Sequence, residues 1–221
     1  MSEREVTVDA AGERLEGFLS LPPGTESLVL FAHGSGSSRF SPRNRMVAEQ
    51  LNQAGIGTLL FDLLTADENR VDEVTREFRF DIPRLARRLA AAVDWAAGEP
   101  DTAELNCGLF GSSTGAAAAL IAAAERPRRV GAVVSRGGRP DLADEALPKV
   151  QAPTLLIVGG EDLQVIELNR DAAACMTNDP HLEIVRGATH LFEEPGTLEE
   201  VIRLAIDWFQ HYLRHATAKA V

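Results

Sequence analysis

The chain has 221 residues, 45% of them apolar, and a formal net charge of −11 at neutral pH. That length and apolar content suit one domain, residues 1–221, with a full core. The negative charge argues against nucleic acid or an anionic membrane as a partner, no run is apolar enough to span a bilayer, and the charged start lacks the centre of a secretory signal. Residues 3–9 and 14–21 read as two strands joined at Ala11-Gly12, a hairpin leading into a sheet. Residues 27–32, SLVLFA, form a continuous apolar strand, followed by a helix over 42–54 with Pro42 in its first turn. A third buried run covers 58–61, and 82–97 is helical, stopping near Gly98 and Pro100. A strand over 105–110 breaks at Gly111-Ser112-Ser113-Thr114-Gly115 and continues as an Ala-rich helix. Short apolar runs at 130–135, 154–158 and 182–185 then alternate with helices over 163–176 and 197–215. Strands alternating with helices predict an α/β fold, its mainly parallel sheet covered on both faces. Only residues 136–153 separate two of the strands, room for one short helix and no large lid.

Ligands in such sheets bind beyond the carboxyl ends of the strands, so those loops carry the chemistry. They hold HGSGSS (33–38), Asp62, the GSSTG turn (111–115), GGED (159–162) and GATH (187–190). In the turn, Gly111 and Gly115 lack the Cβ that would crowd a sharp strand-to-helix corner, which lifts the Ser113 hydroxyl beside the first amides of the helix. A serine hydroxyl is a poor nucleophile and needs a base within reach. His190 can take and return the proton, and Asp162 would hold its imidazole in one tautomer. The backbone amides of Thr114 and Ser35 are the candidate oxyanion donors. Ser112 should point inward. Glu161, Glu193 and Glu194 compete with Asp162, whose place after a strand favours it.

With HGSGSS, GSSTG, LLIVGGEDLQV and GATHLFEEPG in that order, the chain resembles the α/β-hydrolase superfamily along nearly its whole length. It is most similar to the small, cap-less, dienelactone-hydrolase-like members, some of which occur fused or adjacent to phosphoribosyltransferase domains. The resemblance implies the α/β-hydrolase fold and the Ser113, Asp162, His190 triad, with no cofactor. Dienelactone hydrolases proper use a cysteine nucleophile where this chain has Ser113, so the lactone substrate does not carry over. The expected activity is cleavage of a small carboxylic ester, lactone or thioester through an acyl-enzyme. The alternatives are a dienelactone-hydrolase-like enzyme acting on a cyclic, carboxylate-bearing ester, and a non-catalytic protein retaining the fold.

Arg39, Arg43 and Arg136 follow two of these strands, and would favour a carboxylate- or phosphate-bearing substrate if they face the mouth. The plainer reading pairs them with the abundant acids. Asp62 is expected to anchor its loop through backbone amides, and His33 to tie loops together. His211 and His215 stand four apart on the last helix, a spacing that can hold a metal, but without partners elsewhere they read as an exposed face. No metal is expected. Cys107 and Cys175 read as buried free thiols, which suits a reducing cytoplasm. The oligomeric state is not legible.

Overall fold

A computed structural model describes residues 3–214, so the expectation for His215 falls outside the described residues. Eight strands form one sheet. The hairpin of β1 (Glu3–Ala10) and β2 (Glu13–Ser20) turns at Ala11 and Gly12, both with positive φ. The remaining strands are β3 (Ser27–Ala32), β4 (Gly57–Phe61), β5 (Asn106–Ser112), β6 (Val130–Arg136), β7 (Thr154–Gly159) and β8 (His181–Val185). In space the order is β1-β2-β4-β3-β5-β6-β7-β8, and from β4 onward neighbouring strands run parallel. The chain steps from β3 outward to β4, then crosses back to β5 on the other side of β3. That reversal opens a crevice at the carboxyl ends of β3 and β5, where ligands settle in open α/β sheets.

Period-two alternation sorts each strand between two cores. On β3, Leu28, Leu30 and Ala32 face one side, while Val29 and Phe31 face the other. The first side packs α3 (Ile82–Gly98) and α4 (Thr114–Glu125), the second α1 (Pro42–Gln53) and α6 (Thr197–Leu213). Helix α4 is apolar on every side, and Ala116 to Leu120 are completely buried. A helix without a polar face belongs inside the protein, and small side chains let it lie close behind β5. Residues 140–149 form a kinked 3₁₀ segment, followed after β7 by α5 (Leu163–Cys175). Among the described residues no large lid covers the carboxyl ends of the strands.

Two features depart from the sequence reading. Helix α2 (Ala66–Thr75) was not anticipated; Thr65 and Glu68 close a capping box at its start, each side chain bonding the other's backbone amide. It buries only Asp72, so it carries no apolar stripe for periodicity to find. Cys175 is exposed, not buried, because it lies on the outer face of the last turn of α5, whose Ala172 and the following Met176 are the residues that enter the core. Cys107 is half-buried, and desolvation pushes its thiol up to about 12.

Candidate active site

Ser113 has φ 51° and ψ −122°, a backbone conformation that L-residues rarely adopt. Its neighbours show why the corner tolerates nothing larger. A Cβ on Gly111 would lie 2.4 Å from the Ala116 Cα, and one on Gly115 would lie 2.2 Å from the Ala32 carbonyl oxygen. The Ser113 side chain does not cap α4, so the first amides of the helix keep their hydrogens for something else. Ser112 turns inward, where its hydroxyl donates to Asn44 Oδ1 at 3.0 Å. Gly34 lies against the elbow, since a Cβ there would sit 3.1 Å from the Ser113 Cβ.

The acid and histidine loops are laced together by backbone. Gly160 and Glu161 donate to the Val185 and Ala188 carbonyls at 2.8 and 2.9 Å, and Gly159 admits the close approach because it lacks a Cβ. On that frame His190 Nδ1 lies 2.6 Å from Asp162 Oδ2. The carboxylate accepts, so the Nδ1 proton is held there and Nε2 is left with its lone pair. The three rival acids are otherwise engaged or placed. Glu194 accepts from the Thr189 amide and hydroxyl, Glu193 pairs with Arg43 at 2.8 Å, and Glu161 is exposed. The end of β6 joins the two halves of the site. The Arg136 carbonyl accepts the Ser113 amide at 3.3 Å, and a Cβ on the next residue, Gly137, would be 3.7 Å from His190 Cε1.

The HGSGSS loop completes the rim. His33 is buried, and its Nε2 accepts the Leu63 amide at 3.0 Å, which leaves the Nδ1 proton facing the Gly34 carbonyl at 3.0 Å. Desolvation lowers its pKa, consistent with a neutral ring tying two loops. Neither the Ser35 nor the Thr114 amide donates a hydrogen bond among the described residues. Gly36 turns with φ +69°, and the Arg79 guanidinium lies against it.

The three arginines separate. Arg39 forms an ion pair with Asp62, which also accepts the Arg39 amide at 2.7 Å, and its guanidinium stacks near Phe18 and Phe40. It borders a cavity of about 390 Å³ that also meets His33, Ser37, Ser38 and Asn69 but neither Ser113 nor His190. Its charge is therefore met by Asp62, the kind of pairing that the plainer reading of these arginines describes. Arg43 reaches Glu193, on the loop of His190. Arg136 is buried with no carboxylate partner among the described residues. His181 is exposed and bonds Glu183. Among the described residues, no cluster of three or more His, Cys, Asp or Glu could hold a metal, and no helix is long and apolar enough to cross a membrane.

Comparison with known proteins adds four findings. A family model described as an alpha/beta hydrolase domain matches residues 25–203. The crystal structure of dienelactone hydrolase from Anabaena variabilis ATCC 29413 is 59% identical, with TM-score 0.95 over 96% of this chain and 99% of that one. Est1E from Butyrivibrio proteoclasticus shares the fold, with TM-score 0.78 and 18% identity over 97% of this chain and 99% of that one. A Mycobacterium tuberculosis protein (strain ATCC 25618 / H37Rv) named as a putative phosphoribosyl transferase is 55% identical over 213 residues, which are 96% of this chain but 47% of that protein. The chain spans about half the length of the curated relatives it matches.

Proposed function

The chain belongs to the α/β-hydrolase family, and from that premise we propose that it is a serine hydrolase cleaving a small carboxylic ester, lactone or thioester. The observation that carries this reading is the His190–Asp162 bond of 2.6 Å on the same rim as the strained, uncapped Ser113 elbow. In the proposed reaction the Ser113 hydroxyl attacks the substrate carbonyl while His190 Nε2 takes its proton. Asp162 stabilises the imidazolium that results. The tetrahedral oxygen is received by the Thr114 and Ser35 amides, and the fixed donors need no reorganisation as charge develops. His190 returns the proton to the leaving group. Water, activated by the same imidazole, then hydrolyses the acyl-enzyme. Two unpaired thiols suit a reducing compartment, so a cytoplasmic setting is part of the proposal.

The phosphoribosyl transferase name belongs to polypeptides about twice this length. The match covers 96% of this chain, its elbow and loops included, so esterase chemistry is the reading favoured for these residues. Ser113→Ala is expected to abolish both p-nitrophenyl acetate hydrolysis with its burst phase and labelling by a fluorophosphonate probe. Labelling that persists in this variant would remove Ser113 from the role.

A further inference from the structure

A guanidinium taken out of water needs a counter-charge, and Arg136 has none among the described residues. The residue is 8% exposed at the end of β6. Its Nε and Nη1 are buried without hydrogen-bond partners, and Nη2 reaches only Asn44 Oδ1 at a marginal 3.4 Å. That oxygen already accepts the Ser112 hydroxyl. Burial and then the like charge of Arg43 lower its pKa to about 10, so the side chain stays cationic at neutral pH. An uncompensated buried ion is among the larger penalties a fold can carry.

The surroundings add positive charge to the same corner. Arg43 is the second residue of α1; its Nε is also buried without a partner, while its Nη1 donates to Glu193. Helix α1 begins here with a neutral Ser41 cap on the Asn44 amide and no acidic side chain in its first turn, so its amino-terminal partial charge meets no formal negative charge of its own helix. The Glu193 side chain is 63% exposed, and it stands three residues after His190. In a chain of net charge −11, one mostly solvated carboxylate meets this pair of arginines. The corner also adjoins the elbow. Arg136 shares Asn44 with Ser112, and its own carbonyl holds the Ser113 amide.

We propose that Arg136 and Arg43 form an anion subsite beside Ser113, which takes a compact oxyanion group, carboxylate or phosphate, borne by the substrate. Glu193 holds Arg43 in the free protein and gives way when that group arrives. The identity of the ligand as part of an ester rests on the hydrolase reading; the binding of an anion does not.

Two measurements on the full chain test this, with Arg136→Met and, because that buried change can impair folding, Arg43→Gln at a partly exposed position. Succinate or inorganic phosphate is titrated against thermal melting at constant ionic strength. At least one is expected to raise the wild-type Tm, and whichever does so identifies the favoured oxyanion. Each variant should weaken the apparent Kd about tenfold or more, as loss of a charge-assisted contact implies. In parallel, kcat/KM is measured for a p-nitrophenyl ester with a terminal carboxylate or phosphate and for its neutral counterpart. The ratio of charged to neutral ester should fall about tenfold in either variant. No wild-type Tm shift with either anion, together with an unchanged ratio, overturns the subsite. A shift without any change in the ratio overturns its role in substrate recognition. If the wild type hydrolyses neither ester and takes no fluorophosphonate label, the hydrolase reading fails, while an anion shift dependent on Arg43 still upholds the site.

Discussion

Asp162, Glu193 and Glu194 are chemically similar carboxylates within reach of one histidine loop, and the fold gives each a different partner. Asp162 takes the imidazole, Glu193 takes Arg43, and Glu194 takes the Thr189 amide and hydroxyl. The sequence ranks Asp162 first because it follows a strand, but pairing at the other two depends on contacts that no local pattern records. Asp162→Asn is accordingly expected to lower kcat on p-nitrophenyl acetate by about 10⁴-fold, since an amide at this position favours the wrong imidazole tautomer. The rate of fluorophosphonate labelling should fall in step, and labelling at the wild-type rate would exclude Asp162 as the orienting acid. The arginines mark where single-residue reading ran out. Nothing in residues 39–43 or 135–141 tells Arg39, neutralised by Asp62, from Arg136, which meets no carboxylate among the described residues. Cys175 failed for a related reason: an apolar helical run places a residue on a helix but does not say which face it takes, and here Ala172 and Met176 turn to the core while Cys175 turns to solvent.

At the scale of the element, the strand–turn–helix around Ser113 was legible because its requirements are local. Two glycines, an apolar strand and an Ala-rich helix each state their geometry without reference to distant residues. Gly115→Ala tests how tight that corner is. The added methyl would meet backbone at Ala32 and His33, which cannot move aside as a flexible side chain could. A loss of about 3 kcal/mol or more is expected from such overpacking, read from urea unfolding, with fluorophosphonate labelling lost well below the midpoint. Helix α2 is the opposite case, a polar helix held by charge. Burial alone would raise the Glu68 pKa, but the bonds from Arg88 and the Thr65 amide, with the charges of Arg88 and Arg84, bring it to about 2. Because the folded state depresses this pKa, the stabilisation is fully present above the unfolded value near 4.5. It is lost as pH falls from about 4.5 toward about 2. Over that window the wild-type Tm should fall more steeply than that of Glu68→Gln, and the two curves should converge at the acid end. Parallel curves would mean that α2 is not held by this carboxylate. The Thr65-to-Glu68 capping signature was present in the sequence, so this helix could have been found from its cap, though not from its periodicity.

For the whole molecule, the order of strands does what no single element can. The reversal about β3 brings residues 33–38 and 111–115 side by side, and the parallel run from β5 to β8 delivers the acid and histidine loops to the same edge. That convergence was readable as an expectation, since each chemically capable loop follows an apolar run. The absence of a large lid was readable too, from the short span between β6 and β7. Openness has a kinetic consequence. A lipase with a mobile cover gains activity when its substrate forms an interface, because the apolar surface exposed on opening is then buried. Here Ser113 and His190 are partly exposed with no large lid over them among the described residues, so the site is expected to stay open to water. The rate on p-nitrophenyl butyrate should therefore rise hyperbolically with concentration and continue without a jump through the solubility limit. A sigmoidal increase at that limit would instead identify a moving segment. The polar arm containing α2, whose Arg79 lies against Gly36 and which exposes Val71, Val74 and Phe80, would be the place to look for it.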